Sequence, residues 1–335
     1  MLRLAIVRRL RPAAARHASY MLGIETSCDD TAAAVLDQNG RVLSSVISSQ
    51  WELNAKWRGI VPALAARAHE DNLPHVMKAV IEQSGLENLQ QLSAVAVTSG
   101  PGLAPCLDVG LRTARQICLD NPDIAFLQIN HLEAHVLVSR LPQLETPRPE
   151  FPFVVLLVSG GHCCLVLAKG LGDYELLGNT LDDSIGEAYD KVARMLDITA
   201  SGDKGVHGGK LIEDMAARGN DRAYPFTEPM KHRKTAMLRE VKKLGELDEK
   251  MKEDLCASFQ VVCGGVASNQ YLRDRMQAAA EEEGVVAVFP PAKYCTDNGV
   301  MIAWAGLERY AKGMRSDPES ARYQPRWPLE TLQPL

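Results

Sequence analysis

Two histidines four residues apart, His131 and His135, give the clearest chemical signal in the chain. On a helix this spacing places both imidazoles on one face, about 6 Å apart, where a divalent metal ion can bind both rings. Glu133 lies two residues from each histidine and is predicted to point away, unlike the metalloprotease order in which glutamate directly follows the first histidine. Peptide hydrolysis is therefore disfavoured, and a half-exposed polar helix face without metal is the alternative to a metal site.

Glycine turns after short apolar runs form a second group of candidates. Glycine lets the backbone approach a ligand closely, and hydroxyl groups with free amides can hold phosphate oxygens. One such turn is typical of any tight connection, whereas three in one chain make a nucleotide site as good an interpretation as ligand-free turns. The candidates are Ser159-Gly160-Gly161-His162, Gly208-Gly209 and Gly264-Gly265, together with Thr26, Ser27, Asp29 and Asp30.

Two single acids could complete these sites. Asp297 is a candidate metal ligand and Asp190 is a candidate ribose ligand. For each acid alone, a helix cap or a solvated charge is the simpler interpretation. Thr296 or Asp297 is the expected cap of the helix that follows.

A basic segment occupies residues 231–243, where six Lys or Arg residues accompany one acid, Glu240. An RNA contact is one interpretation of this charge. A solvated helix face is the alternative, and the charge pattern alone favours it.

The segments around these residues alternate between strand and helix patterns. A strand, a polar turn and a second strand are predicted around Glu25, and a later strand ends next to His131. After a Pro-rich linker at residues 141–152, the strand, turn and strand unit starts again at residues 153–168. The chain is therefore predicted to be α/β, with two similar halves around a cleft.

The overall composition agrees with a soluble globular protein of about two domains. The chain has 335 residues, 46% of them hydrophobic and 24% charged, with a formal net charge of −5. This mild acidity argues against a general nucleic-acid coat protein, although a local basic patch could hold a folded RNA. We expect no membrane insertion, and eight scattered cysteines without a C-x-x-C pair suit a reducing compartment better than a secreted scaffold.

The first twenty residues differ from the rest of the chain. Residues 1–20 contain five arginines, several alanines and no acid. Apolar and basic side chains would segregate on a helix there, which is typical of a mitochondrial presequence. A disordered basic tail is the alternative.

Seven motifs in this order resemble one family. They are GIETSCDDT, TSGPGL, NHLEAH, LLVSGGH, DDSIGEAYDKVAR, GGVASN and CTDNGVMIA, and the resemblance extends from residue 21 to about residue 311. The chain is similar to the universal tRNA threonylcarbamoyladenosine synthases, formerly described as glycoproteases. With its presequence it resembles the mitochondrial member, whose mature chain would begin near residue 21.

The resemblance implies the two-domain α/β fold of actin, hexokinase and heat-shock ATPases, with domains at residues 21–150 and 151–335. It implies transfer of threonylcarbamoyl from threonylcarbamoyl-AMP to the exocyclic amine of the adenosine 3′ of the anticodon, in tRNAs reading codons that begin with A. A divalent metal would be held by His131, His135 and Asp297. The adenylate pocket would be lined by Leu157, Val158, Ser159, Gly160, Gly161, Asp190, Gly209, Glu213 and Asn269.

Further expectations follow from the same resemblance. One divalent ion is expected per subunit, and two imidazoles with a carboxylate do not distinguish zinc, iron, manganese and magnesium. The partners would be tRNA, a separate synthase that supplies the adenylate, and a second subunit in a homodimer. The location would be the mitochondrial matrix. No residue is assigned as a general base.

The chain departs from the family pattern in its second half. The segment ITASGDKGVHGG replaces a compact Pro-Gly-Gly turn, and a block expected before Lys234 is missing. Near Gln260 and Val261 a predicted helix meets a predicted strand without the usual loop of roughly 2 to 6 residues. We therefore predict that segments near residues 231–234 and 260–261 are absent, that the adenylate binds weakly, and that a catalytically impaired partner subunit is the alternative function.

Overall fold

The structure of the chain is a computed structural model. It describes residues 19–57, 59–144, 147–158, 163–180, 184–198, 208–224, 248–253 and 270–334. The strands are β1 Tyr20–Glu25, β2 Asp30–Asp37, β3 Val42–Ser49, β4 Leu92–Gly100, β5 Ala125–Asn130, β6 Phe153–Val158, β7 Cys163–Gly170 and β8 Asp173–Asn179.

The helices fall between and after these strands. They are α1 Trp51–Trp57, α2 Pro62–Ser84, α3 Ala104–Asp120, α4 His131–Leu137, α5 Ile185–Met195, α6 Gly208–Ala216, α7 Gln270–Glu282, α8 Ala292–Cys295 and α9 Gly299–Ala311. Short 3-10 turns lie at Leu89–Gln91, Val138–Arg140 and Leu329–Thr331. No helix among the described residues combines the length and the apolar character that a membrane crossing needs.

The first sheet has the strand order β3-β2-β1-β4-β5. Strands β1, β2 and β3 pair antiparallel, whereas β4 pairs parallel with both β1 and β5. Strand β1 is buried on both faces, so its apolar residues run continuously instead of alternating with polar ones. The carboxyl ends of β1, β4 and β5 consequently meet at one edge of the sheet.

Helices cover both faces of the first sheet. Helices α2 and α3 pack with Leu22 and Ile24 on one face, and α9 packs with Met21 on the other. Helix α9 lies so close to β2 that a Cβ atom on Gly299 would be 2.4 Å from the carbonyl carbon of Ala33. Glycine is required there because the two backbones touch.

The second sheet has the order β6-β7-β8, and its strands are all antiparallel. Val166 and Tyr174 on its inner face pack with Val136 of α4 and with Leu329 and Leu332 of the C-terminal segment. The hairpin β6-β7 repeats the hairpin β1-β2, as the restart of the sequence pattern after the linker indicates. The mixed α/β architecture expected from the sequence is therefore present.

The last long helix of the chain contacts the first sheet. Helix α9 packs on β1, β2 and β4, and the division into domains at residues 21–150 and 151–335 stays a prediction. The physical reason is that this face of the sheet is apolar and would otherwise be in water. A contact between segments about 280 positions apart leaves no trace in a local pattern.

Candidate active site

The carboxyl edge of the first sheet brings together the candidate residues of the first half. Glu25 ends β1, Asn130 ends β5, and Asp30 begins β2 at the same edge. Parallel strands place the residues that follow them in one crevice, which is where α/β proteins generally bind ligands.

Helix α4 carries the two histidines and begins directly at the end of β5. The Asn130 side chain caps it by accepting hydrogen bonds from the backbone N–H groups of Leu132 at 3.0 Å and Glu133 at 3.1 Å. This cap fixes the first turn, which contains His131. The rings of His131 and His135 lie edge to face with their centroids 4.7 Å apart, as the spacing of four residues predicts.

Asp297 faces both histidines from the other side. Its Oδ1 atom lies 3.4 Å from Nε2 of His131 and 3.1 Å from Nε2 of His135. One ligand atom from each of the three residues fits within 4.8 Å of the others. The three side chains are 13%, 14% and 22% exposed, so the group opens to solvent on one side only.

The cap of α9 leaves Asp297 available for this role. The sequence suggests Thr296 or Asp297 as the cap, but Asn298 is the cap, and its side chain accepts from the N–H of Met301 at 2.9 Å. The same side chain donates to the carbonyl of Thr296 at 2.7 Å. The expected cap is one residue too early, because α9 starts at Gly299, where the contact with β2 begins.

Glu25 supports the first histidine from beneath. Its side chain is fully buried, and Oε2 accepts from Nδ1 of His131 at 3.1 Å and from Thr98 Oγ1 at 2.5 Å. Oε1 accepts from the N–H of Ser27 at 2.5 Å. Burial alone would raise the pKa of Glu25. The charge and the hydrogen bond of His131 lower that pKa by more, so it lies below its usual value. Glu25 is therefore ionised, and it directs Nε2 of His131 towards Asp297.

The charges of His131 and Asp297 stabilise each other. Burial lowers the pKa of His131, but the carboxylates of Asp297 and Glu25 outweigh burial and hold that pKa well above its ordinary value. Burial raises the pKa of Asp297, but the two histidines outweigh it and hold that pKa below its usual value. A cation bound here would take the place of the proton that His131 otherwise carries.

This donor set fits a divalent metal ion. Two imidazoles and one carboxylate on one side are a common arrangement for such ions, with positions left for substrate or water. The carboxylate of Glu25 behind His131 matches the outer-shell partner that most metal-binding histidines have. His131, His135 and Asp297 are the residues that could hold the ion.

The loop after β1 lies beside the triad. Nε2 of His69 donates to the carbonyl of Cys28 at 3.0 Å, while Thr31 Oγ1 donates to Nδ1 of His69 at 2.7 Å. The Asp29 carboxylate accepts from Asn54 at 2.9 Å. Burial, followed by the charge of Asp297, raises the pKa of Asp29. The loop is thus held rigidly with Asp29 within the electrostatic field of Asp297.

Glu133 points away from the two imidazoles, as its spacing predicts, and it is fully buried. It accepts two hydrogen bonds from Arg309 of α9, at 2.6 and 2.9 Å. It also accepts from the hydroxyl of Tyr174 at 2.9 Å and from the N–H of Gly172 at 3.1 Å. This buried group joins the histidine helix to α9 and to the second sheet.

The predicted adenylate residues are only partly within the described structure. Leu157 and Val158 end β6, and Leu157 packs in the same cluster as Leu132 of α4. Ser159, Gly160, Gly161 and Asn269 lie outside the described residues, as do residues 231–243 and 260–261 and the first eighteen residues. The strand end that precedes the glycine turn therefore lies next to the histidine helix.

Two further adenylate candidates and Asp190 lie on adjacent helices. Gly209 is in the first turn of α6, and a Cβ atom there would lie 3.8 Å from the ring of Tyr189 on α5. Asp190 is on α5, but its side chain is outside the described structure, and Glu213 is on α6. Their shared role in a nucleotide pocket stays a prediction.

Glu25, Asn130 and His69 are residues of this candidate site that the sequence alone does not single out. Glu25 lies within a quoted motif, but no local rule distinguishes it from the other acids there. One signal was available, because an acid that ends a buried strand must have a partner. That partner, His131, is 106 positions away.

Comparison with known families identifies the chain's relatives. A family model described as tRNA N6-adenosine threonylcarbamoyltransferase (TsaD) matches residues 41–304. The enzyme of that name from Granulibacter bethesdensis is 41% identical over 92% of this chain and 93% of its own length. An Arabidopsis thaliana protein named "Probable tRNA N6-adenosine threonylcarbamoyltransferase, mitochondrial" is 39% identical over 92% of this chain and 74% of its own length.

The Granulibacter alignment is longer than this chain. It runs over 354 positions while covering 92% of the 335 residues, about 308 of them, so about 46 aligned positions have no residue of this chain. Positions present in the relative are thus absent here. Their location near residues 231–234 and 260–261 stays a prediction.

A solved structure supports the fold. HypF from T. kodakarensis superposes on 89% of this chain and 48% of its own chain with a TM-score of 0.54 and 13% identity, which bears on the fold alone. The α/β fold of the actin, hexokinase and heat-shock ATPase class, expected from the motifs, is confirmed. The expected family is also confirmed, and the chain is an enzyme that belongs to the tRNA N6-adenosine threonylcarbamoyltransferase family.

Proposed function

We propose that this chain transfers threonylcarbamoyl from threonylcarbamoyl-AMP to the exocyclic amine of the adenosine 3′ of the anticodon, in mitochondrial tRNAs reading codons that begin with A. The observation that carries the proposal is the convergence of His131, His135 and Asp297 at the carboxyl edge of the sheet in a member of this family. The amine nitrogen forms a bond to the carbamoyl carbon. The bond from that carbon to the phosphate oxygen breaks, AMP leaves, and the amine loses a proton.

The metal site is part of this proposal. A divalent ion held by the triad would supply Lewis-acid chemistry and orientation at the carbamoyl or phosphate oxygens. Glu25 holds the Nδ1 proton of His131 and so keeps the opposite nitrogen, Nε2, directed at the site. The Asn130 cap and the buried Glu133 group keep the two rings in register with Asp297.

Orientation of the two substrates is the main contribution of the remaining residues. Holding an amine against a carbonyl in reacting geometry converts a bimolecular step into an effectively unimolecular one. We assign the adenylate to Leu157, Val158, the glycine turn 159–161, Asp190, Gly209, Glu213 and Asn269. The position of Leu157, which packs against the same apolar cluster as Leu132 of α4, supports this assignment, because the end of β6 then lies near the histidine helix.

Location and partners complete the proposal. The arginine-rich residues 1–20 and the mitochondrial name of the Arabidopsis relative support a mitochondrial matrix location. We propose that a separate synthase supplies threonylcarbamoyl-AMP and that the enzyme acts as a homodimer.

Reconstitution with the purified full-length chain tests the proposal. The assay combines the chain, freshly made threonylcarbamoyl-AMP and a tRNA transcript reading an A-initial codon, and measures threonylcarbamoyladenosine by mass spectrometry. Product should form with the wild-type chain and be lost with His135→Ala or after chelation of divalent metal. Product formation that is unaffected by both treatments would remove the metal site from the mechanism.

A second candidate function is a catalytically impaired homologue that keeps the fold and serves as a partner subunit. The 46 or so aligned positions without a residue in this chain favour it. Weak ATP binding in calorimetry, together with no product in the reconstitution, would favour this candidate over transfer.

A further inference from the structure

Residues 322–327 of the C-terminal segment, here called the strap, cross the edge of the first sheet beside the candidate active site. Four hydrogen bonds attach the strap backbone to the ends of β4 and β5. Gln324 N–H donates to the carbonyl of Ser99 at 2.7 Å, and Gly102 N–H donates to the carbonyl of Pro325 at 3.2 Å. The side chain of Gln128 donates to the carbonyl of Arg322 at 2.8 Å.

The fourth hydrogen bond ties the strap to the histidine helix itself. Asn130, whose Oδ1 caps α4, donates through Nδ2 to the carbonyl of Trp327 at 2.8 Å. The residue after Asn130 is His131. The strap backbone is therefore connected to the metal triad through one side chain.

Gly100 allows the strap to lie this close. Its φ of 151° lies outside the range that other residues readily adopt, and a Cβ atom there would be 1.8 Å from the carbonyl oxygen of Gln324. Any side chain at this position would push the strap away from the strand end. Both the conformation and the contact therefore require glycine.

The strap uses its backbone for the fold and leaves its polar side chains in solvent. Arg322, Tyr323, Gln324 and Arg326 are all exposed, and Tyr323 as a whole residue is 39% exposed. The Arg322 guanidinium donates to the carbonyls of Glu319 and Ala321. Among the residues that the structure describes, neither arginine forms an ion pair with an acid.

Two exposed guanidinium groups, on either side of an exposed tyrosine and without an acidic partner among the described residues, form a surface suited to a single-stranded polyanion. Guanidinium groups match phosphate oxygens bidentately, and an aromatic ring offers a face on which a base can stack. The strap itself contains no acid, although the chain as a whole carries a net charge of −5. In an acidic protein, RNA must be held by local basic surfaces such as this one.

We propose that the strap is a docking surface for the substrate RNA, with Arg322 and Arg326 on backbone phosphates of the anticodon loop and Tyr323 stacked on one unpaired base. This inference rests on the proposed function, because it takes the RNA to be the substrate of the triad. The strap lies at the rim of the triad and would hold the loop where its target adenosine can reach the site.

Charge removal tests the phosphate contacts. The full chain carrying Arg322→Gln with Arg326→Gln is compared with a control carrying Arg41→Gln with Lys78→Gln. The control removes the same charge from exposed positions, in the turn between β2 and β3 and on helix α2. The probe is a 17-nucleotide anticodon stem-loop, titrated by fluorescence anisotropy at several salt concentrations. The strap variant should raise Kd about tenfold and reduce the slope of log K against log salt by about 1.5, while the control keeps the wild-type slope.

Ring removal tests the stacking contact separately. Tyr323→Ala should raise Kd about tenfold with the salt slope unchanged, because stacking releases no counterions. Tyr323→Phe keeps the ring face and should restore wild-type affinity. Thermal unfolding of each variant confirms that the strap backbone is intact.

The outcomes separate this inference from the proposed function. Suppose that the wild-type chain modifies tRNA, but the arginine variant shows the wild-type slope of log K against log salt, or the control variant loses as much affinity for the stem-loop as the arginine variant does. The strap inference is then overturned and the proposed function stands. If the wild-type chain binds the stem-loop through the strap but forms no product, the inference stands and the proposed transfer fails. If the wild-type chain does not bind the stem-loop, the inference is overturned.

Discussion

Glu25 accepts a hydrogen bond from Nδ1 of His131 at 3.1 Å, at the point where a buried strand ends beneath a helix. The bond keeps a proton on Nδ1 of His131 and leaves Nε2 as the nitrogen that faces Asp297. A buried carboxylate with three hydrogen-bond donors makes this orientation rigid. The geometry of the site thus depends on a residue that does not itself face the site.

Replacing Glu25 tests this dependence. Glu25→Gln removes the charge that orients His131, and we expect divalent-metal affinity to fall by about 10- to 100-fold. Competition titration with a chromogenic chelator measures the change. Glu82→Gln on the exposed surface of α2 should leave the affinity unchanged, and an equal loss in both variants would count against an orienting role for Glu25.

The buried pair Glu133 and Arg309 should dominate the stability of the region around α4. Glu133→Gln leaves the Arg309 charge without a counterion in a buried position, so the free energy of unfolding should fall by about 3 to 5 kcal/mol. Urea denaturation measures it. Glu70→Gln, which breaks an exposed pair with Arg112, should change the same free energy by less than about 1 kcal/mol. A small loss for Glu133→Gln would show that the pair contributes little.

The pH dependence of stability should contain a contribution from Asp30. Burial raises the pKa of Asp30 to about 7, whereas the unfolded value is about 3.9. Between these two values the folded state binds the proton and the unfolded state does not, so stability falls as pH rises through this window. The fall is at most about 1.4 kcal/mol per pH unit from this group. Asp30→Asn should flatten the curve between pH 4 and 7, and parallel curves for the two proteins would contradict the assignment.

The close approach of α9 to β2 makes Gly299 sensitive to substitution. A methyl group there would meet the Ala33 backbone at 2.4 Å, so Gly299→Ala should cost about 1 to 3 kcal/mol of stability. It should also weaken metal binding, because Asp297 lies two residues before the displaced helix. Gly178→Ala is the control, because its new methyl group would lie 3.8 Å from Leu165, which is an ordinary contact. Stability and metal affinity should both be unchanged in this variant. Intact stability in Gly299→Ala would contradict the packing.

Part of the candidate site can be predicted from local signals in the sequence. The spacing of His131 and His135 predicts a shared helix face, because an i,i+4 relation is set by helix geometry alone. The strands that end at Glu25, Gly100 and Asn130 follow from short apolar runs bounded by polar residues or glycine. These features depend on neighbours within a few positions.

The missed features depend on long-range contacts. Glu25 meets His131, and α9 meets the first sheet, only after the chain has folded. The cap of α9 at Asn298 is set by where Gly299 touches β2, which the pattern of caps near Thr296 does not reveal. The family resemblance grouped Asp297 with the two histidines, because no spacing rule connects it to them.

Nucleoside analysis in cells tests the central claim most directly. Mitochondrial tRNA would be isolated from a strain in which this chain, or its His135→Ala variant, is the only source of the activity, and threonylcarbamoyladenosine would be measured by mass spectrometry. The proposed function predicts the modified nucleoside with the wild-type chain and its loss with the variant. Absence of the modified nucleoside with the wild-type chain, when the protein is present and folded, would contradict it.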